Sequence, residues 1–309
     1  MNSESLLIAQ AILATKQDAD TFKDYIFPVF MAFCSAFVGG VVAYRFNLRQ
    51  ERIREERSKF STVSKLQIIM MSCLNDLIAI KVNNFIDMQT DNPIQRTMLV
   101  GVVLSNSRPV DFDFSTLSFI KSIPTANLPI TQQLLNFWKY RVMRCSRVFP
   151  SAVEVGKSWR NLNRLVACIG NFNYIFTILA ERNILRREVD DKLHSANLSS
   201  GFTHEQLLGV VEEHKLIKLV DLTEMLFALI EFIINELHSF VREFPEIAES
   251  NIELSLVGGG GLLRFSSDGR PLFEKALNPI LKPNYRILSE FMGASVEELI
   301  QRYTFKNPS

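Results

Sequence analysis

One run stands apart in the pattern of apolar and polar positions. From Tyr25 to Tyr44 the chain reads YIFPVFMAFCSAFVGGVVAY, 20 residues without a charge, bounded by Asp24 and Arg45. At about 1.5 Å of rise per residue, a helix of this length crosses the roughly 30 Å hydrocarbon core of a bilayer. Tyr25 and Tyr44 stand at its ends, where amphipathic rings favour the headgroup level. Pro28 falls in the first turn, where a missing N–H is least costly. The pattern predicts a transmembrane helix over 25–44, preceded by a short tail, 1–24.

Beyond the span the apolar positions take a helical period. Phe60, Val63, Leu66, Met70, Cys73, Leu77 and Ile80 are spaced by three or four, which marks one face of a helix. This predicts a basic stalk helix over 45–88. Residues 26–86 form either one continuous helix or two with a bend. Pro93, Gly101, Pro109, Pro124 and Pro129 then interrupt the pattern, and the runs TMLVGVVL and VDFDFSTLSFI fit short strands or short helices equally well.

Helical spacing resumes at Leu134, Leu135, Trp138, Val142 and Cys145, and again at Leu162, Leu165, Ile169, Phe172 and Phe176. Leu165–Ala180 is uncharged but only 16 residues long, and it contains Asn171 and Asn173. It reads as a buried helix rather than a second span. Thr203-His-Glu-Gln206 and Ser295-x-x-Glu298 have the form of capping boxes. Residues 216–243 are strongly apolar, with Asp221, Glu224, Glu231, Asn235 and Arg242 on one narrow stripe. Several ionised groups on one helix are costly in lipid, so a core helix with one wet edge is expected. Gly258–Gly261 and the Asp268-Gly269 turn signal predict a minor β element near 252–273. The expected fold is mainly α: one N-terminal transmembrane helix followed by a helical cytoplasmic domain over 89–309.

Charge adds orientation. Arg45, Arg49, Arg52, Arg54, Arg57 and Lys59 follow the span, against Glu51, Glu55 and Glu56, whereas residues 1–24 carry a net charge of −2. The positive-inside rule places the N-terminus outside and the body in the cytoplasm, as in a single-pass protein of the cell inner membrane. An acidic n-region and the absence of a small-residue cleavage site after the run argue against a cleaved signal peptide. Within the span, Ala32, Ala36 and Gly40 form one small-residue stripe, and Ser35, Gly39 and Ala43 form the next. Such stripes let helix backbones approach closely in lipid, so a homo-oligomer is expected.

The net charge of the whole chain is only +1, so no global field draws it to nucleic acid. Locally, Lys139, Arg141, Arg144, Arg147, Lys157, Arg160 and Arg164 face only Glu154 between 139 and 164, a net of +6. Residues 221–249 carry seven acids against Arg242, a net of −6. The basic patch fits the acidic segment of this chain or of another copy, anionic lipid, or nucleic acid. Trp138 and Trp159 flank it as conceivable stacking platforms for bases.

Chemistry-bearing motifs are sparse. The composition, 47% hydrophobic and 22% charged, is that of a globular chain. The four cysteines form no CxxC pair, which argues against a disulfide scaffold, a zinc knuckle or an iron–sulfur site. His204-Glu205 lacks the second histidine of HExxH, and Glu212, Glu213 and His214 read as a solvated helix surface. Gly258–Gly261 is followed by Leu262, Leu263 and Arg264, without the Lys-Ser/Thr pair of a phosphate loop. Asn197-Leu198-Ser199 fits a glycosylation acceptor, unused if cytoplasmic. FMGASVEEL (291–299) resembles the closing helices of repressor-type helix-turn-helix domains over nine residues, and reads as a helix–Gly–N-cap junction.

No catalytic, cofactor or metal residue is expected, and no small-molecule substrate is identified. The layout looks like that of small bacterial membrane-anchored proteins, including some encoded among antiviral defence genes. The expectation is a non-enzymatic anchored protein acting through oligomerisation and partner binding at the inner membrane face. The alternative is a membrane-tethered nucleic-acid-binding or nuclease-like protein using the 139–164 patch, with a carboxylate hydrolase as a third reading.

Overall fold

The computed structural model describes residues 3–14, 26–105, 108–121, 131, 134–135, 137–138, 152–198, 203–266 and 271–305. It is mainly helical, with no strand among the described residues. The chain divides into two compact units, Met1–Glu56 and Arg57–Ser309, which are considered separately.

The first unit contains helix α1 (Ser3–Ala14) and the leading part of α2 (Phe27–Asn84), a single unbroken helix of 58 residues. Two helices, α2 and the α5 helix described below, are long and apolar enough to cross a membrane. In α2 the apolar window has no buried residue, whereas in the other helix 39% of the window is covered by protein. Leu165, Cys168, Ile169 and Phe172 lie in its core face, which fits the interior helix expected from its length and its asparagines.

The second unit is built on the end of α2, α5 (Leu162–Ser195) and α7 (Glu213–Glu249). Of the expected stripe, Val63, Leu66, Met70, Cys73, Leu77 and Ile80 are buried in its main core, and Phe60 packs half-buried against it. Shorter helices surround this frame: α3 (Pro93–Leu99), α4 (Ala152–Lys157), α6 (His204–Val210), α8 (Leu254–Val257), α9 (Pro271–Leu277), α10 (Tyr285–Met292) and α11 (Val296–Arg302). Both capping boxes form: Thr203 with Gln206 starts α6, and Ser295 with Glu298 starts α11. Each satisfies two orphan N–H groups at a helix start. FMGASVEEL forms the α10–α11 junction, where Gly293 closes α10 at φ 67, a conformation costly for a side chain with a Cβ.

Residues 100–105 and 108–113 run across α5 as a strap with no ladder of its own. Its backbone bonds go to side chains of α5. Asn183 accepts from the Val103 N–H at 3.0 Å and donates to the Val103 carbonyl at 2.7 Å. Asn173 does the same for Val110, at 2.8 Å in both directions. Arg182 donates to the Val100 and Gly101 carbonyls at 2.7 and 2.9 Å. Side-chain amides thus do what a neighbouring strand does in a sheet. This resolves TMLVGVVL into a helix that ends at Leu99 and an extended strap. VDFDFSTLSFI contains a 3-10 turn over Phe114–Leu117, capped by Asp113.

One expectation is corrected. The β element near 252–273 is absent from the described residues. Leu254–Val257 is helical, residues 260–266 are irregular, and Pro271 starts a helix. The Asp268-Gly269 turn lies outside the described residues. Gly258, the first of the glycine run, ends a helix, adopting φ 102 after Val257. Leu134, Leu135 and Trp138 are helical, as their spacing predicts, and exposed.

Candidate functional site

The acidic stripe of α7 is where the polar residues of the second unit converge. A wet edge was expected along it. Instead the stripe is met by cations from several segments. Asp221 receives both Arg302, at 2.6 and 2.8 Å, and the Tyr303 hydroxyl at 2.6 Å. Glu224 is held in a two-point contact by Arg96, at 2.8 and 3.1 Å, with both side chains almost wholly buried. Glu231 pairs with Lys81 at 3.3 Å and accepts the Ile280 N–H. Glu236 takes Arg164 in a second two-point contact at 2.9 and 3.0 Å. Glu249 and Glu246 both face Arg264. Of the stripe read from the sequence, Asn235 and Arg242 remain exposed. Arg–carboxylate forks fix angle as well as distance, so these pairs set how the outer segments dock on α7.

Between α7, residues 280–285 and residues 303–305 lies a cavity of about 230 Å³. Arg96 and Glu224 form part of its wall, with Phe227, Glu231, Tyr285 and Phe305 among the remaining lining. Arg96 also donates to the Leu281 carbonyl and lies over the Phe227 ring at 4.9 Å. Burial pushes the Glu224 carboxyl up to about 7, against the downward pull of Arg96. Burial likewise raises Tyr285, and Glu224 adds to the effect. Lys81 is lowered by burial, with Glu231 opposing. The cavity is aromatic and polar; Arg96 and Glu224 in its wall are engaged with each other, and Glu231 with Lys81. That suits hydrogen-bond recognition of a small polar group better than nucleophilic or acid–base chemistry.

The basic patch is only partly a surface. Lys139, Arg141, Arg144 and Arg147 lie outside the described residues. Lys157 ends α4, and its carbonyl accepts from Arg164. Arg160 donates to the Lys121 carbonyl at 3.0 Å and to the Ser250 hydroxyl at 3.2 Å. Arg164 is committed to Glu236, the acidic segment of its own chain, and covers the Trp159 ring at 3.7 Å. Trp159 itself is fully buried, edge-on to Phe240, with its indole N–H on Ser239 at 2.9 Å. It is not a platform for bases. Trp138 is exposed.

The small-residue stripes all lie on α2 within the first unit. Ala32, Ala36, Gly40, Ser35, Gly39 and Ala43 are all exposed, and a Cβ added at Gly39 or Gly40 meets nothing within 4 Å. The Ser35 hydroxyl donates to the Ala32 carbonyl at 3.0 Å, which keeps it satisfied within its own helix.

Among the described residues no cluster of three His, Cys, Asp or Glu side chains could hold a metal. Cys73 and Cys168 are buried free thiols. Burial pushes Cys73 up to about 12 and raises Cys168 as well, so neither presents a thiolate at neutral pH. Sequence reading missed Lys81, Arg96, Asn173, Arg182 and Asn183 as organising residues. Their only signal is the presence of a polar side chain on an otherwise apolar helix face. No protein-family model, curated protein or solved structure matches this chain.

Proposed function

We propose that this chain is a single-pass membrane-anchored protein whose helical cytoplasmic body acts by binding partners and by self-association at the inner membrane face, without enzymatic chemistry. One observation carries the reading. Residues 27–44 belong to α2, every one of them except Cys34 is exposed, and ten of the large apolar ones are individually at least 40% exposed. A continuous apolar surface of this size is far beyond what a soluble monomer leaves in water, and lipid is the medium that covers it. The arginine-rich stretch from Arg45 to Arg57 supports an orientation with the body in the cytoplasm.

Carbonate extraction followed by ultracentrifugation tests the anchor; recovery of the intact chain in the supernatant refutes it. A reporter fused to the C-terminus tests the orientation, with activity expected on the cytoplasmic side. For self-association the open space at Gly39 and Gly40 is useful. Replacing both with Leu leaves the monomer undisturbed but blocks close approach of two helices. Weaker cross-linked oligomers are expected in membranes, and unchanged oligomers reject the stripes as the interface. The layout also fits a bacterial defence or toxicity effector; growth during induced expression tests that extension.

A further inference from the structure

Helix α1 has no part in the reading above. It is twelve residues long, SESLLIAQAILA, with Glu4 as its sole charge. Leu6, Leu7, Ile8 and Leu13 are 52, 66, 60 and 68% exposed. At 100° per residue Leu6 and Leu13 share one side, while Leu7, Ile8 and the 63% exposed Ile12 point to others, so large apolar side chains are spread around the helix. A helix apolar on all sides belongs in a core or in lipid. At about 1.5 Å per residue, α1 is roughly 18 Å long and too short to span about 30 Å of hydrocarbon.

Its two ends limit the choice further. Glu4 lies in the first turn, and Lys16, Asp18 and Asp20 follow closely after Ala14. Charges at both ends keep both at the water boundary, so the helix lies in the plane of the membrane. The eleven residues 15–25 join it to the span. Fully extended they reach at most about 40 Å, which keeps α1 within that distance of the start of α2.

We infer that α1 is an in-plane lipid anchor, sunk at the headgroup–acyl boundary of the leaflet opposite the arginine-rich end of the span. The inference rests on the membrane reading of α2 proposed above. It gives the chain a second lipid contact and fixes the start of the span in depth as well as in direction. Helices that lie in the interface plane sink about 5–10 Å into the boundary region.

The test uses the full chain in phosphatidylcholine–phosphatidylglycerol vesicles. Ile8→Cys, with Cys34→Ala and Cys145→Ser, takes an NBD label, while Cys73 and Cys168 stay buried. A parallel protein carries the label at Phe33→Cys, inside the span. Expected for Ile8→Cys is blue-shifted emission, loss of about half of it to acyl-brominated lipid, and poor access to iodide. Leu7→Asp with Leu13→Asp should return that label to water while the protein stays in the vesicles. Quenching at Phe33→Cys with a water-exposed label at Ile8→Cys overturns the α1 inference alone. No quenching at either position overturns the membrane reading itself. A blue-shifted Ile8→Cys label that is insensitive to brominated lipid and varies with protein density shows α1 packing on another copy, and also overturns the inference.

Discussion

The strap over α5 offers the most direct test of how side chains hold this fold. Asn183→Ala removes both bonds to Val103, at 3.0 and 2.7 Å, without touching the apolar core. Each bond contributes about 1 kcal/mol net, so the pair stabilises the closed strap by roughly 2 kcal/mol. Val103 is only 1% exposed, so its backbone regains partners only if the strap lifts. At about 1.4 kcal/mol per tenfold, amides near Val103 should exchange hydrogen roughly 30-fold faster. Asn183→Asp should be at least as damaging, since it turns a donor 2.7 Å from the Val103 carbonyl into an acceptor. Asn173→Ala should act likewise at Val110. The two asparagines are ten residues and about 15 Å apart on the helix, far enough to act independently. Hydrogen exchange with mass spectrometry on the full chain in mild detergent reads this directly. Faster exchange is expected over 100–105 for Asn183→Ala, with the middle of α7 unchanged. Unaltered exchange over 100–105 refutes the clamp. Loss of protection throughout the bundle refutes the strap as a separable unit.

Three further outcomes follow from the buried polar groups. Glu224→Leu strands Arg96, which cannot shed its charge, at a cost of about 3–5 kcal/mol; Arg96→Met is milder because Glu224 can take up a proton; and the double replacement should cost less than the sum, as read by thermal unfolding. His238, packed edge-on to Phe265 and Phe273, is lowered by partial burial, with nearby Arg242 adding to the effect. The unfolded chain therefore takes up a proton at about pH 6.5 that the folded chain resists, so stability should fall as pH drops below that point, and His238→Phe should flatten the profile of melting temperature against pH. The buried Gln67 Oε1 has no hydrogen-bond partner among the described residues, while its amide nitrogen makes a 3.3 Å bond to the Leu263 carbonyl. Gln67→Leu should raise stability by about 1 kcal/mol, and a lower melting temperature would count against that reading.

The parts that were legible in the sequence are those whose signal is local. The stripe from Val63 to Ile80 is buried because its period is that of the helix it forms. The boxes at Thr203 and Ser295 form because cap and partner are three residues apart. What escaped reading has partners far away in the chain. Asn173 and Asn183 bond to residues 63 and 80 positions distant, so from sequence they look like blemishes in an apolar helix. The strap looked undecided between strand and helix because it makes neither ladder. Gly258 illustrates a second cause. A glycine at positive φ serves a hairpin and a helix end equally, and only packing chooses between them.

The α7 carboxylates combine both causes, and they explain why the candidate site was only half visible. Counting charge along the chain exposed two opposed blocks, and Arg164 with Glu236 does join one to the other. Yet the cations that meet Asp221, Glu224 and Glu231 are Arg302, Arg96 and Lys81, single residues in otherwise unremarked stretches. A lone arginine on a short helix carries no periodic or clustered signal. Its role comes from the apolar faces that bring α3, the end of α2 and the C-terminal segment onto α7. The apolar pattern therefore fixes which helices meet, and the charged residues fix at what angle and register. The first is written in short-range periodicity, whereas the second requires the three-dimensional neighbours.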